Sequence, residues 1–337
     1  MDLFGKHLLC TQEWSKDELD RVLELSARMK KFRFSNHFAN LLRNRTFFMF
    51  FFNPSVRTRQ SFECAATELG GHAQFLEPKS MRLKTKKSAG ETVEDAAKVM
   101  SRYACGLGMR ILEDKLCYYG HGDEILREYA SFSTIPVVSM AHDRFHPCQG
   151  LADIMGIKEH LGEDLKKKKI LITWAHGALA RSHCSVQEAM LICSRYGMDV
   201  TVAHPKGYEL DEEVLTWTRE NCKANEAEFQ LVHDPVEGYK GAHVVYSRNW
   251  MSAEAYKNDE FCKEAEIEKA MKHKEWICNK EKMALGEEPF FTHPMPIDRG
   301  HEVDDETASG PRSIIYDVAE NRLHVQKAVM ALTMGTM

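Results

Sequence analysis

The densest run of chemically capable side chains in this 337-residue chain is Ser55-Val56-Arg57-Thr58-Arg59. It follows an apolar stretch and the turn-forming pair Asn53-Pro54, and it opens a segment of helical composition that stops at Gly70-Gly71. A helix start presents N–H groups with no intrahelical acceptor and a partial positive charge. Here it also carries hydroxyls at Ser55 and Thr58 and guanidinium groups at Arg57 and Arg59, a combination suited to cradling a phosphate. The plainer alternative is a capped surface helix with two solvated arginines. Other candidates are Arg110, after a strand, and His146 with Gln149, where HPCQ opens another helical segment. Singly, Arg110 reads as a salt-bridged residue and His146 as a helix cap; together with the phosphate motif they read as one site. His142 and His146 are four apart, as two metal ligands on one helix face would be. No acid or thiol follows at a supporting spacing, so no metal is expected, and no cofactor.

The elements that must position these residues are legible as an alternation. Short runs rich in Val, Ile and Phe, at 46–52, 135–140, 169–174, 199–203 and 243–246, alternate with stretches of helical period at 91–103, 150–161 and 185–196. This is the βαβ rhythm of parallel sheets covered by helices, an α/β fold. The turn LGEDLKKKK ends one helix before the strand ILITW, where a second α/β unit begins; its four lysines read as a solvated loop rather than an anion site. In open α/β sheets ligands collect beyond the carboxyl ends of the strands, which is where the motifs above fall.

A chain of this length exceeds what one core usually serves, so two domains are expected. The composition, 43% hydrophobic and 28% charged, is that of a globular protein, and a net charge of -5 gives no argument for nucleic acid or an anionic membrane surface. The amino-terminal residues lack the pattern of a secretion signal, and the most apolar run, 46–52, is far short of the roughly 20 residues that span a bilayer. Ten cysteines without CxxC spacing read as reduced thiols, and the expected compartment is the cytoplasm. A dinucleotide site is disfavoured, since Gly106-Leu107-Gly108 lacks the full glycine fingerprint.

The run Ser55 to Arg59 also resembles the Ser-x-Arg-Thr-Arg motif of the aspartate and ornithine carbamoyltransferase family. Four further matches follow in order: Gly108-Met109-Arg110, His146-Pro147-Cys148-Gln149, His293-Pro294-Met295-Pro296 and Ala319-Glu320-Asn321-Arg322. The resemblance implies two parallel-sheet α/β domains: a carbamoyl phosphate-binding domain at 1–147, completed by a C-terminal helix at 318–337, and an acceptor domain at 148–317. It also implies an acceptor site between the domains and a homotrimer with active sites at subunit interfaces. By analogy Ser55, Val56, Arg57 and Thr58 hold the phosphate, with Arg322 assigned to the same ligand. Arg110, His146 and Thr58 donate to the carbamoyl oxygen, while Gln149 and the carbonyls of Pro294 and Met295 accept from its NH2 group. Pro294 departs from the His-Cys-Leu-Pro of ornithine enzymes but matches aspartate enzymes. The segment KTKKSAGE at 84–91 falls where the family has a mobile loop reaching a neighbouring subunit, with Ala89 in place of a lysine.

The acceptor is an amine that neither well-known enzyme predicts. Ile297 and Asp298 stand where aspartate enzymes have an arginine that grips the substrate, and YSRNW lacks the aspartate that holds ornithine. YSRNW and the long loop after Thr173-Trp174 resemble instead the acetylornithine and succinylornithine carbamoyltransferases, which implies a knotted loop in the second domain and makes those acceptors the alternative. Acceptor-side candidates are His142, His176, Arg248, Asp298, Arg299 and Glu302. The acidic pair Asp298 and Glu302 predicts a cationic acceptor, with Arg299 available for a carboxylate; an ordinary solvated loop is the plainer account of this acidic run. A catalytically silent carbamoyl phosphate-binding homologue is the reading from another class.

Overall fold

The computed structural model describes residues 2–77 and 90–335. Most of the 84–91 segment therefore lies outside the described residues. The chain divides into two compact units, residues 1–151 with 321–337, and residues 152–320.

In the first unit four strands form a parallel sheet: β1 (Thr46–Phe51), β2 (His72–Leu76), β3 (Gly106–Ile111) and β4 (Val137–His142), in the order β2-β1-β3-β4. Helices α1 (Lys16–Lys31), α2 (Val56–Glu68), α3 (Val93–Met100) and α4 (His121–Phe132) belong to this unit. Strands covered on both faces are expected to read as unbroken apolar runs, and every residue of β4 is buried. Phe47 stacks on Phe62 of α2 at 5.5 Å, and Phe50 meets Tyr129 of α4 edge-on at 5.9 Å. β1 ends one residue earlier than the apolar run predicts. Arg110, expected after a strand, lies inside β3, where a register shift between Met109 and Arg110 interrupts the pairing with β4. Such an irregularity re-aims a side chain near a strand end.

Helix α5 (Pro147–Leu161) crosses the division into the second unit. There the parallel strands are β5 (Lys169–Trp174), β6 (Asp199–Ala203), β7 (Phe229–Val232) and β8 (Val244–Arg248), followed by a small hairpin, β9 (Tyr256–Lys257) and β10 (Glu260–Phe261), and then β11 (Phe290–Thr292). The sheet order is β11-β8-β5-β6-β7. Its helices are α6 (Cys184–Arg195), α7 (Glu212–Ala224), α8 (Lys263–Ala270) and the short turns α9 (Lys280–Met283) and α10 (Asp305–Ala308). The last helix, α11 (Ile315–Met334), crosses back into the first unit. The lysine run before β5 forms a turn in which Lys166 and Lys167 are exposed.

Each sheet reverses direction once. In the first, β2 lies on one side of β1 while β3 and β4 lie on the other; in the second, β6 and β7 lie on one side of β5 while β8 and β11 lie on the other. Crevices at such reversals, beyond the carboxyl ends of the strands, are where open α/β sheets bind ligands. The two places to look are therefore the ends of β1 and β3 and the ends of β5 and β8.

Two glycines show how tightly the connections are drawn. Gly70, after α2, has φ +81°, and an added Cβ would lie 2.0 Å from the Ala39 carbonyl oxygen. Gly197, after α6, has φ +78°, but its Cβ would meet nothing nearer than the flexible side chain of Lys166, at 3.2 Å. Gly197→Ala should cost about 1 kcal/mol and Gly70→Ala distinctly more, about 2 kcal/mol or above, as read by the denaturant midpoint. Equal costs would show that Ala39 moves aside.

Candidate active site

In the first unit the polar residues are held by side chains that finish what the sheet leaves open. Beyond β1, buried Asn53 donates through Nδ2 to the Leu112 carbonyl (2.9 Å) and to Asp114 (2.8 Å), and its Oδ1 accepts from the Leu112 N–H (2.7 Å). The Phe52 N–H donates to the Arg110 carbonyl (2.9 Å), so the ends of β1 and β3 are fastened together. Ser55 then caps α2, its hydroxyl accepting from the Thr58 N–H (3.3 Å). Val56 and Arg57 are exposed on the first turn, and Thr58 is buried.

Arg322 reaches this turn from α11. Its Nη1 donates to Gln149 Oε1 (2.7 Å) and its Nη2 lies 3.5 Å from Thr58 Oγ1. Thr58, Gln149 and Arg322, which lie far apart in the sequence, thus come together as a buried polar group. His146, nearly buried, immediately precedes α5, and its carbonyl accepts from the N–H groups of Gln149 (2.8 Å) and Gly150 (3.2 Å). Arg110 lies one strand from β1, paired in register with Phe51. His142, expected on the acceptor side, is instead fully buried in a polar cluster of this unit. Its Nδ1 is 3.5 Å from Asp143, and its Nε2 is 3.4 Å from the Leu9 carbonyl and 3.7 Å from Asp123. Its Nδ1 also lies 3.4 Å from the Arg144 N–H, so both ring nitrogens face groups of this unit.

In the second unit the ends of β5, β8 and β11 form a second polar group. Glu302 is its hub. Oε1 accepts from the Asn249 N–H (2.8 Å); Oε2 accepts from the Asp298 N–H (2.8 Å) and from His293 Nε2 (3.1 Å). His293 Nδ1 accepts from the Met295 N–H (2.8 Å), which fixes the imidazole as the neutral tautomer with its proton on Nε2. Burial opposes ionisation of Glu302, but His293, Arg181 and Arg248 hold its carboxyl down to about 2. Burial lowers His293, with Glu302 pulling the other way, so the pair rests as carboxylate and neutral imidazole.

Glu302 is thus bonded on both carboxylate oxygens to its own chain. Asp298 is engaged as well: Oδ2 accepts from the Ala178 N–H (2.8 Å) and Oδ1 lies 3.0 Å from His301 Nδ1. Arg299 turns outward, donating to Asp305 (2.8 Å) and Ser309 (2.9 Å), rather than offering itself to a carboxylate. Pro294 and Met295 lie in the turn after β11, with Met295 at φ +53°. The groups left over are of the opposite character. Arg248, at the end of β8 and 7% exposed, has no hydrogen-bond partner for Nε or Nη1 among the described residues. The same holds for His176 Nδ1, whose ring is lowered by burial and by His301, and for the carbonyl oxygen of the Asn249 side chain. Asn249 is oriented by its Nδ2, which donates to the Ala175 carbonyl (3.0 Å). Sequence reasoning missed Asn249 and the hub role of His293. The one available signal was their adjacency to Arg248 and to the His293-Pro294 motif.

Comparison with known proteins identifies the family. Residues 6–159 match the family model of the aspartate/ornithine carbamoyltransferase carbamoyl-P binding domain, and residues 169–333 match that of its Asp/Orn binding domain. The chain belongs to the aspartate/ornithine carbamoyltransferase family. It is 36% identical to the anabolic ornithine carbamoyltransferase of Pyrococcus furiosus, over 99% of this chain and 98% of that one. It is 35% identical to the N-acetylornithine carbamoyltransferase of Xanthomonas campestris pv. campestris, over 98% of each. Among solved structures it superposes on acetylornithine transcarbamylase complexed with acetylcitrulline with a TM-score of 0.90, at 34% identity and covering 98% of this chain and 100% of that one. The two parallel-sheet α/β domains expected of a carbamoyltransferase are thus the fold of this protein. Among the described residues no helix is long and apolar enough to cross a membrane.

The Glu302–His293 pair has a pH signature. Glu302 titrates below its ordinary 4.5, so the stability it contributes is present above that value and is lost as pH falls toward 2. His293 is lowered from 6.5, so acid begins to favour the unfolded, protonated form just below 6.5. The thermal midpoint should fall in two stages on acidification. Glu302→Gln should lower the midpoint at neutral pH by about 1 to 3 kcal/mol of stability and flatten the more acidic stage. An unchanged acid profile in Glu302→Gln would show that other groups set it.

Proposed function

We propose that this carbamoyltransferase moves the carbamoyl group of carbamoyl phosphate onto the side-chain amine of an amino acid whose carboxylate is free and whose α-nitrogen is acylated. The first unit supplies the donor chemistry. The capped start of α2, with Ser55, Val56, Arg57 and Thr58, and the guanidinium of Arg322 bind the phosphate. Arg110, His146 and Thr58 donate to the carbamoyl oxygen, on which negative charge grows during attack, and Gln149 accepts from the carbamoyl nitrogen. The amine lone pair forms the new C–N bond, the C–O bond to phosphorus breaks, and phosphate leaves with that electron pair. The proton lost from the amine balances the charge on the departing phosphate.

The observation that carries the acceptor class is the buried, unsatisfied edge of Arg248. Buried guanidinium N–H groups without acceptors are costly, and a ligand carboxylate relieves them with a charge-assisted pair. A free α-ammonium group would need an acid, and Asp298 and Glu302 are both engaged. An acylated α-nitrogen carries no charge, and its N–H suits the open Asn249 oxygen. The structural relative solved with acetylcitrulline, an N-acylated amino acid, supports the same class. This replaces the cationic acceptor expected from the acidic run.

Phosphate release would be measured with carbamoyl phosphate and a panel of amines: N-acetylornithine, N-succinylornithine, ornithine and 1,4-diaminobutane. The acylated compounds should be turned over best, and 1,4-diaminobutane, which has no carboxylate, least. Arg248→Gln should raise the KM for the favoured acceptor about 30-fold to 1000-fold, the equivalent of about 2 to 4 kcal/mol. A preference for 1,4-diaminobutane would reverse the assignment. On the donor side, His146→Ala should lower kcat about 100-fold while changing affinity for inorganic phosphate little, because its interaction strengthens only as the oxyanion forms. Equal losses in both would reduce His146 to a structural role.

A further inference from the structure

Arg248 is the last paired residue of β8, in register with Trp174, whereas the segment that follows it and the one that carries Asp298 are not held by the sheet. Beyond β8 and β11 the ladder has ended, yet the backbone N–H groups of Asn249, Met295 and Asp298 all find acceptors, and every one is supplied by Glu302 or His293. The backbone of Glu302 joins the same system: its carbonyl accepts from Ser247 Oγ (3.1 Å) and from the Cys278 N–H (3.1 Å), and its N–H donates to the Asp298 carbonyl (2.8 Å). Both side chains are wholly buried.

A buried carboxylate kept only for stability is usually replaceable, with its partner, by apolar residues of similar volume. This one instead spends its acceptors on backbone donors at the two segments of the proposed acceptor site. Arg248 has no side-chain partner at Nε or Nη1 to aim it. Its direction comes from the backbone, through the Ala175 N–H that donates to its carbonyl (3.0 Å) and the Asn249 N–H held by Glu302 one residue on.

We infer that Glu302, acting through His293 and the amides of Asn249 and Asp298, is a positioning residue that sets the placement of Arg248 and Asn249 for the acceptor. It does not touch the acceptor itself. The inference rests on the acceptor reading above for the identity of the ligand, but not for the geometry it invokes.

Glu302→Gln is the sharpest probe, because one side-chain atom becomes a donor. Whichever way the amide turns, it faces either the Asn249 N–H or the pair formed by His293 and the Asp298 N–H. Steady-state kinetics with N-acetylornithine should show KM raised about 10-fold to 100-fold, with kcat changed much less. Calorimetric titration with inorganic phosphate, whose proposed partners are all in the first unit, should be unchanged. A KM within twofold of the wild type, even with a lowered thermal midpoint, would overturn the inference and leave Glu302 a stabilising residue only. If Arg248→Gln leaves KM unchanged while Glu302→Gln raises it, the acceptor reading fails at Arg248 and the positioning role of Glu302 stands. Should Glu302→Gln not fold, His293 gives a second route. His293→Gln keeps a donor for Glu302 and an acceptor for the Met295 N–H, whereas His293→Leu keeps neither, so KM should rise far more in the leucine variant. Equal KM values in the two would also overturn the inference.

Discussion

A parallel sheet satisfies its backbone only as far as its strands are paired, and at the carboxyl ends the chain must turn away while still deeply buried. Each amide there needs a partner, since an unsatisfied buried N–H costs about 1 to 3 kcal/mol. Both units of this protein meet that demand with side chains. Asn53 fastens the ends of β1 and β3, Ser55 takes the first turn of α2, and Glu302 with His293 takes the amides beyond β8 and β11. Among the buried groups without a hydrogen-bond partner, those at Arg248, His176 and Asn249 stand beside these fastenings. Buried groups left open next to a well-fastened turn are where a ligand has something to satisfy.

The same constraint explains why the acceptor side is hard to read from sequence. The acidic run from Asp298 to Glu306 counts as negative charge near a binding motif, but charge on paper is not charge presented to a ligand. Asp304 caps α10, Asp305 pairs with Arg299 and Glu306 pairs with Lys280 at the surface, as a solvated loop would have it. Glu302, in the same run, is wholly buried and bonded. Only the fold sorts these four acids, because what separates them is which backbone donors lie within reach.

Other features were legible for equally physical reasons. β5 and β6 fall at the expected bounds, since each is a β-branched run bracketed by a turn and buried on both sides. The α2 start was legible because its hydroxyl, guanidinium groups and strand context lie within a few consecutive residues. The grouping of Thr58, Gln149 and Arg322 was not, since it joins three distant segments and became visible in sequence only through the family motifs. His142 was likewise illegible: a histidine beside a motif invites a role, whereas the cluster of Asp123, Asp143 and the Leu9 carbonyl around it is assembled from separate segments.

The locked imidazole of His293 also has a bearing on proton traffic. With Nδ1 bound to the Met295 N–H and Nε2 directed at Glu302, neither nitrogen has a lone pair or a proton to lend without dismantling the turn. A histidine in a motif of an acyl-transfer enzyme invites the role of general base, and here the architecture forbids it. Deprotonation of the attacking amine falls to a group other than His293, and the departing phosphate, whose second ionisation lies near neutrality, is one such group. At His293, then, what the protein contributes is charge and orientation rather than proton transfer.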